Sequence, residues 1–172
     1  MNKGKIFLLI AGLILFGFGI YWQLGGFNKI SFSIKERQDI KLLGLSYRGT
    51  PQDEQLGITF QTIEKLIEKY PETTLHTIYY TEPAGKLDTL EAFVGVEYSD
   101  LFEIKENLEI VEISCTQIIE ADIQAHKLVM PSPNSVEDEL EAFAMDNGLT
   151  TQGIYVDKII DKGHVKVLAP LE

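Results

Sequence analysis

The sequence predicts an α+β fold: a duplicated βαββ unit with an antiparallel sheet and two helices, preceded by a single transmembrane helix. Three observations carry this. First, the chain repeats itself 76 positions apart, Ile34-Lys35-Glu36 returning as Ile110-Val111-Glu112 (110 − 34 = 76) and Ile78-Tyr79 as Ile154-Tyr155 (154 − 78 = 76). A period that long, present twice, suggests a duplicated half-domain, and the interface between two such halves is a natural ligand cleft. Second, strand-like alternation and helix start signals follow in the same order in each half. Third, Ile6 to Leu24 contains no charged residue.

In the first copy, about residues 30–100, Ile30, Phe32 and Ile34 alternate with polar residues, and Leu43, Leu45 and Tyr47 resume the alternation. These read together as one opening strand. Thr50-Pro51-Gln52-Asp53 then supplies an N-cap, a proline at the first helical position and an acid at the third. Leu56, Phe60, Ile63, Ile67 and Tyr70 keep helical spacing until Pro71. Leu75 to Tyr80 reads as a second strand, Thr81-Glu82-Pro83-Ala84-Gly85 as a loop, and Ala92, Val94, Val96 and Tyr98 as the inward side of a third.

The second copy, about residues 106–171, opens with Leu108, Ile110 and a long β-rich run through Ile123. Its helix is shorter, with start signals at Pro131 to Ser135, an apolar stripe of Val136, Leu140 and Phe143, and a stop at Asn147-Gly148. Glu137, Asp138, Glu139 and Glu141 make its other face acidic. Strands Gly153–Ile160 and His164–Leu168, joined at Asp161-Lys162-Gly163, close the copy.

The apolar run reads as an uncleaved anchor spanning residues 6–24 within an amino-terminal segment 1–26, with Tyr21 and Trp22 suited to a bilayer interface. A cleaved signal peptide is the rival, but no small-x-small site closes the run. Lys3 and Lys5 favour a cytoplasmic amino terminus, which predicts a single-pass membrane protein with the domain of residues 27–172 on the extracytoplasmic side. With 26 acidic against 15 basic residues and a net charge of −11, the chain would repel a nucleic-acid backbone. Cys115 is the sole cysteine, so an internal disulfide or a paired-thiolate metal site is excluded. His76, His126 and His164 have no metal-ligand spacing, and no motif calls for a cofactor.

Tyr47-Arg48-Gly49 before the first helix, Ile78-Tyr79-Tyr80-Thr81-Glu82-Pro83 after it, Val94-Gly95-Val96, Asn147-Gly148-Leu149 and the closing Val167-Leu168-Ala169-Pro170-Leu171 resemble the GyrI-like small-molecule-binding domain. The same domain serves as the effector module of multidrug-responsive regulators. The likeness runs over about residues 30–171. An amino-terminal span ahead of such a domain is also similar to the layout of membrane-anchored Tex264-like proteins. The resemblance implies two copies about a pseudo-two-fold with a cleft at their junction, and in relatives that bind organic cations, aromatic rings with a carboxylate.

The candidate cleft residues are therefore Tyr47, Phe60, Tyr79, Tyr98 and Tyr155, with Tyr79 and Tyr155 in equivalent places, although a buried tyrosine at strand spacing is as readily simple packing. Relatives commonly carry a glutamate shortly before the final proline, where this chain has Lys166. A lysine in the cleft would oppose a cation and select a neutral or anionic ligand. Glu97 is the remaining candidate carboxylate, alternatively a partner of Lys166. The leading expectation is a membrane-anchored, non-enzymatic domain binding a small, largely apolar molecule. The alternatives are a membrane-tethered interaction module with a protein partner at the acidic second helix, and a small hydrolase using Glu97.

Overall fold

The computed structural model describes residues 3–81, 85, 87–102 and 107–172, the side chains of residues 3, 5, 6, 8 and 9 excepted. Along the chain run α1 (Lys3–Gln23), β1 (Ser31–Glu36), β2 (Ile40–Gly49), α2 (Glu54–Lys69), β3 (Leu75–Thr81), β4 (Leu90–Glu97), β5 (Glu109–Ile113), β6 (Gln117–Gln124), α3 (Pro133–Asp146), β7 (Val156–Asp161) and β8 (His164–Pro170). Among the described residues the fold is α+β, with one antiparallel eight-stranded sheet in the order β1-β6-β8-β7-β3-β4-β2-β5 and three helices. The expected loop at Glu82-Pro83-Ala84 lies outside the described residues.

Each long opening strand is in fact two strands. Arg37-Gln38-Asp39 separates β1 from β2, and Ser114-Cys115-Thr116 separates β5 from β6. Each link is only three residues long and strand-like residues resume directly after it, so the sequence pattern does not register the change of partner. Helix α2 is capped by Asp53, whose side chain accepts the Gln55 amide at 2.9 Å, and not by Thr50. Thr50 instead ends the preceding turn, its carbonyl accepting the Asp53 amide and the Tyr47 hydroxyl. Helix α3 starts as expected, with Ser132 as N-cap and Pro133 in its first turn, and it ends at Asn147 before Gly148 at φ +68°.

Strand order and loop length together force curvature. β1 stands first in the sheet and β2 seventh, so a flat sheet would hold them about 29 Å apart at ~4.8 Å per strand. The link Arg37-Gln38-Asp39 reaches at most about 14 Å from Glu36 to Ile40. The same holds for β5, eighth, and β6, second, so the sheet curls until its two edges approach. Where the two links meet, the Arg37 amide donates to the Thr116 carbonyl at 3.1 Å.

This curl explains a core that no helix covers. On the inner face Ile40, Leu42, Ile78, Phe93, Ile113, Ile118, Val156 and Leu168, drawn from seven strands, pack on one another. Gly44 and Gly95 face each other across β2 and β4, and the Phe93 ring occupies the room they leave: a Cβ at Gly44 would stand 2.8 Å from Phe93 Cζ, and one at Gly95 2.7 Å from Cε1. On the outer face α2 lays Ile63 against Leu43, Val94 and Val96, while α3 lays Val136, Leu140 and Ala144 against Ile119, Ala121, Val167 and Ala169.

The membrane assignment is corrected. Residues Lys3–Gln23 do form a helix, and Leu15, Phe16 and Trp22 are exposed on it. Among the described residues, however, no helix is long and apolar enough to cross a membrane. Neither the single-pass span nor the extracytoplasmic placement is retained. The end of α1 is tied to the sheet instead: the His126 amide donates to the Leu24 carbonyl at 2.8 Å, and Asn28 Nδ2 to the Gln124 carbonyl at 2.6 Å.

Candidate functional site

The two central strands of the sheet, β7 and β3, pair with Thr77 opposite Asp157 and Ile78 opposite Val156. Because side chains alternate, Ile78 and Val156 enter the inner core while Thr77 and Asp157 face outward, where Thr77 Oγ1 lies 3.5 Å from Asp157 Oδ2. Over this junction, beside the first turns of α3, opens a cavity of about 160 Å³. Its apolar lining comes from Ile123 on β6, Val136 on α3, Ile159 on β7, and Val165 and Val167 on β8. Tyr79 and Tyr155 line it, as do the carboxylates of Glu137 and Asp157.

Tyr155 is held in place by α3. Its hydroxyl donates to Oε1 of Glu141, which also accepts the Thr151 hydroxyl at 2.7 Å. Burial and the hydrogen bond to Glu141 push the Tyr155 phenol up to about 12. The hydrogen bonds from Tyr155 and Thr151 hold the Glu141 carboxyl below its ordinary range. The acidic face of α3 is thus partly turned to the site, with Glu141 fastening one wall and Glu137 in the lining.

Of the seven sequence-predicted residues, the structure brings Tyr79 and Tyr155 together. They are not equivalent in the sheet, since Tyr79 lies within β3 and Tyr155 immediately precedes β7. Tyr47 is packed against Leu56, Leu90 and Ala92 and donates to the Thr50 carbonyl at 2.7 Å. Phe60 and Tyr98 pack around Ile63 and Val96 under α2. Glu97 and Lys166 stand on the opposite face of the sheet from the cavity. Their strand neighbours Val96 and Val167 point to the helices, so alternation turns both charges inward.

Glu97 is paired with Arg37 and, at 3.8 Å, with Lys158. Lys166 reaches Glu120 at 2.8 Å and Asp122 at 3.3 Å, and Lys35 also reaches Glu120 at 2.8 Å. The expectation that Lys166 opposes a cation in the cleft is therefore corrected. No lysine or arginine lines this cavity among the described residues. Sequence reasoning missed Thr77 and Asp157, and read Glu137 only as part of an acidic helix face. The available signal was weak, since Thr77 and Asp157 sit in strands that carry other polar residues as well, His76 and Thr81 in β3 and Lys158 and Asp161 in β7.

No family model matches the chain, and no curated protein is similar to it in sequence. Solved structures are similar in fold. A hydrolase from Listeria innocua aligns with a TM-score of 0.60 at 10% identity, covering 84% of this chain and 93% of its own. A second hydrolase from Listeria innocua aligns at 0.61 and 9% identity, covering 88% and 98%. The C-terminal domain of EcmrR aligns at 0.56 and 12% identity, covering 83% and 98%. At these identities the likeness is one of fold, and it is consistent with the GyrI-like effector-binding fold that the residues resemble.

Proposed function

We propose that this chain binds a small, largely apolar molecule in the cavity over the β3–β7 junction, with Tyr79 and Tyr155 as its walls. The observation that carries the reading is the cavity itself, with an aliphatic floor, two tyrosines and no basic side chain among the described lining residues. An engineered apolar cavity of about 150 Å³ accommodates benzene, so about 160 Å³ suits one ring or a short alkyl segment.

In this reading residues 27–172 form a GyrI-like domain whose two copies meet at β3 and β7. Register supports the duplication: Glu36 pairs with Gln117 and Lys41 with Glu112, the same pairing carried 76 positions in each direction. The hydrolase alternative through Glu97 has no support from geometry, because that carboxylate is ion-paired on the inner face.

Native mass spectrometry and thermal shift on the full chain test the reading. A bound small molecule, or a rise in Tm with members of an amphiphile panel, is expected. A ligand at a hundredfold excess over its Kd stabilises by about 2.7 kcal/mol. Tyr79→Ala and Tyr155→Ala should each abolish most of the shift. An apo spectrum together with no shift across the panel rejects the proposal, and ester turnover lost in Glu97→Gln would return the hydrolase reading.

A further inference from the structure

A second cavity, of about 440 Å³, abuts the first, and Ile123 and Pro131 line both. Its far wall is the foot of α1, with Tyr21 and the Gly25-Gly26 turn, and its polar rim carries Asn28, Lys29 and Gln124. This wall is built. The Tyr21 ring packs edge-on against Phe27 at 4.9 Å and lies over Gly26, where a Cβ would come within 2.3 Å of it. The Asn28 and Leu24 hydrogen bonds to β6 and to His126 hold the segment in register with the sheet.

Volume argues that the two spaces act together. The inner cavity alone holds no more than a ring, whereas pockets for ligands of ordinary size run about 300–1,000 Å³. The two chambers have opposite character. The inner one is floored by aliphatic side chains, while the outer one offers amide groups and one charge of each sign, Lys29 and Glu139.

We infer that the chambers form one bipartite site for an elongated, uncharged amphiphile, its apolar end between Tyr79 and Tyr155 and its hydroxylated head against the foot of α1. Opposite charges in the outer chamber give no net preference for an ionic head, and the amides of Asn28 and Gln124 suit a hydrogen-bonding one. This inference rests on the binding reading above and extends it by assigning α1 a part of the site.

The test uses the full chain with two probes, indole as a compact ligand and octyl glucoside, below its micelle concentration, as an elongated one. Ligand-observed NMR should show octyl glucoside displacing indole and binding at least tenfold more tightly. Tyr21→Ala and Val129→Trp, which change only the outer chamber, should each weaken octyl glucoside at least fivefold and move indole by less than twofold. Should Val129→Trp not fold, Tyr21→Ala decides, since its side chain is 42% exposed. Indole binding combined with octyl glucoside binding indifferent to Tyr21 overturns the bipartite site alone. Equal losses for both probes overturn it too, and absence of indole binding to the wild-type chain overturns it along with the binding reading.

Discussion

The amide of Cys115 donates to Oδ1 of Asp39 at 3.3 Å, and these two residues stand 76 positions apart. Each belongs to one of the three-residue links, β1–β2 and β5–β6, whose shortness makes the sheet curl. The bond, together with the Arg37–Thr116 backbone bond, fastens one link to the other. Asp39→Ala leaves the amide of a buried residue without its acceptor, and should cost about 1–2 kcal/mol in urea unfolding. Asp39→Asn, which keeps an acceptor oxygen, should recover most of it. A loss below about 0.3 kcal/mol for the alanine variant would show that water replaces the carboxylate at no cost.

Tyr155 and Glu141 define a second testable relationship. Removing the hydroxyl in Tyr155→Phe takes one of the two donors from Glu141, so the carboxyl should titrate closer to the ordinary glutamate range by NMR. Because the folded phenol is raised to about 12 from an ordinary value near 10, the folded state keeps its proton where the unfolded chain loses it. The associated stability is complete below pH 10 and disappears as pH rises toward 12. Wild type and Tyr155→Phe should therefore converge in stability over that interval, and parallel curves would refute the assignment.

His76 is 0% exposed, with Nδ1 3.0 Å from the Thr74 carbonyl and Nε2 without a hydrogen-bond partner among the described residues. The neutral imidazole with its proton on Nδ1 fits this geometry, donating to Thr74. Burial is the main cause that lowers its pKa to about 4, against a smaller opposing effect of the Thr74 bond. Below pH 6.5 the unfolded chain takes up a proton that the folded chain refuses, so stability should fall from pH 6.5 to about 4 and then level off. The loss is up to about 3 kcal/mol. His76→Leu should flatten that limb of the pH–stability curve, and an unchanged limb in this variant would place the effect elsewhere.

Glu120 lies between Lys166 and Lys35 on the inner face, each 2.8 Å away. Burial pushes its carboxyl up, but the hydrogen bonds from Lys166 and Lys35 outweigh burial and hold it below the ordinary range. A depressed folded pKa gives stability that is present above about pH 4.5 and lost as pH falls through the folded value. Glu120→Gln should thus destabilise by about 1–2 kcal/mol at pH 7 and by less at pH 3. Lys166→Met should also reduce stability, while leaving ligand binding within twofold of wild type because Lys166 faces away from the cavity. A changed ligand set in this variant would contradict the face assignment.

Much of the secondary structure was legible in local signals. The start of α3 at Ser132-Pro133 and its stop at Asn147-Gly148 could be read directly, since caps are made by neighbours in sequence. The Asp53 cap was harder, because Thr50-Pro51 carries equally good start chemistry and loses it to the turn that ends β2. At the site, alternation alone put Ala92, Val94 and Val96 on one face of their strand, yet it could not say whether that face meets a helix or which face of the sheet holds a cavity. That is why Glu97 and Lys166 were candidates: both are charged at the right strands, but one residue out of phase with the cavity.

By itself the sequence determined the α+β class, the helices α2 and α3 with the strands that follow each, and the 76-residue echo of Ile34-Lys35-Glu36 in Ile110-Val111-Glu112, while each pair of opening strands read as one. These depend on contacts between near neighbours and on a periodicity that any reader of the chain can count. Only the tertiary structure decided that the sheet curls on itself, that its inner face forms a helix-free core, and that Tyr79 and Tyr155 meet at one cavity although they are not equivalent in the sheet. Strand partnership is non-local: β1 pairs with β6, some 85 positions away at Lys35–Glu120, and nothing in β1 names its partner. Which charges look into the site and which into the core follows from that pairing.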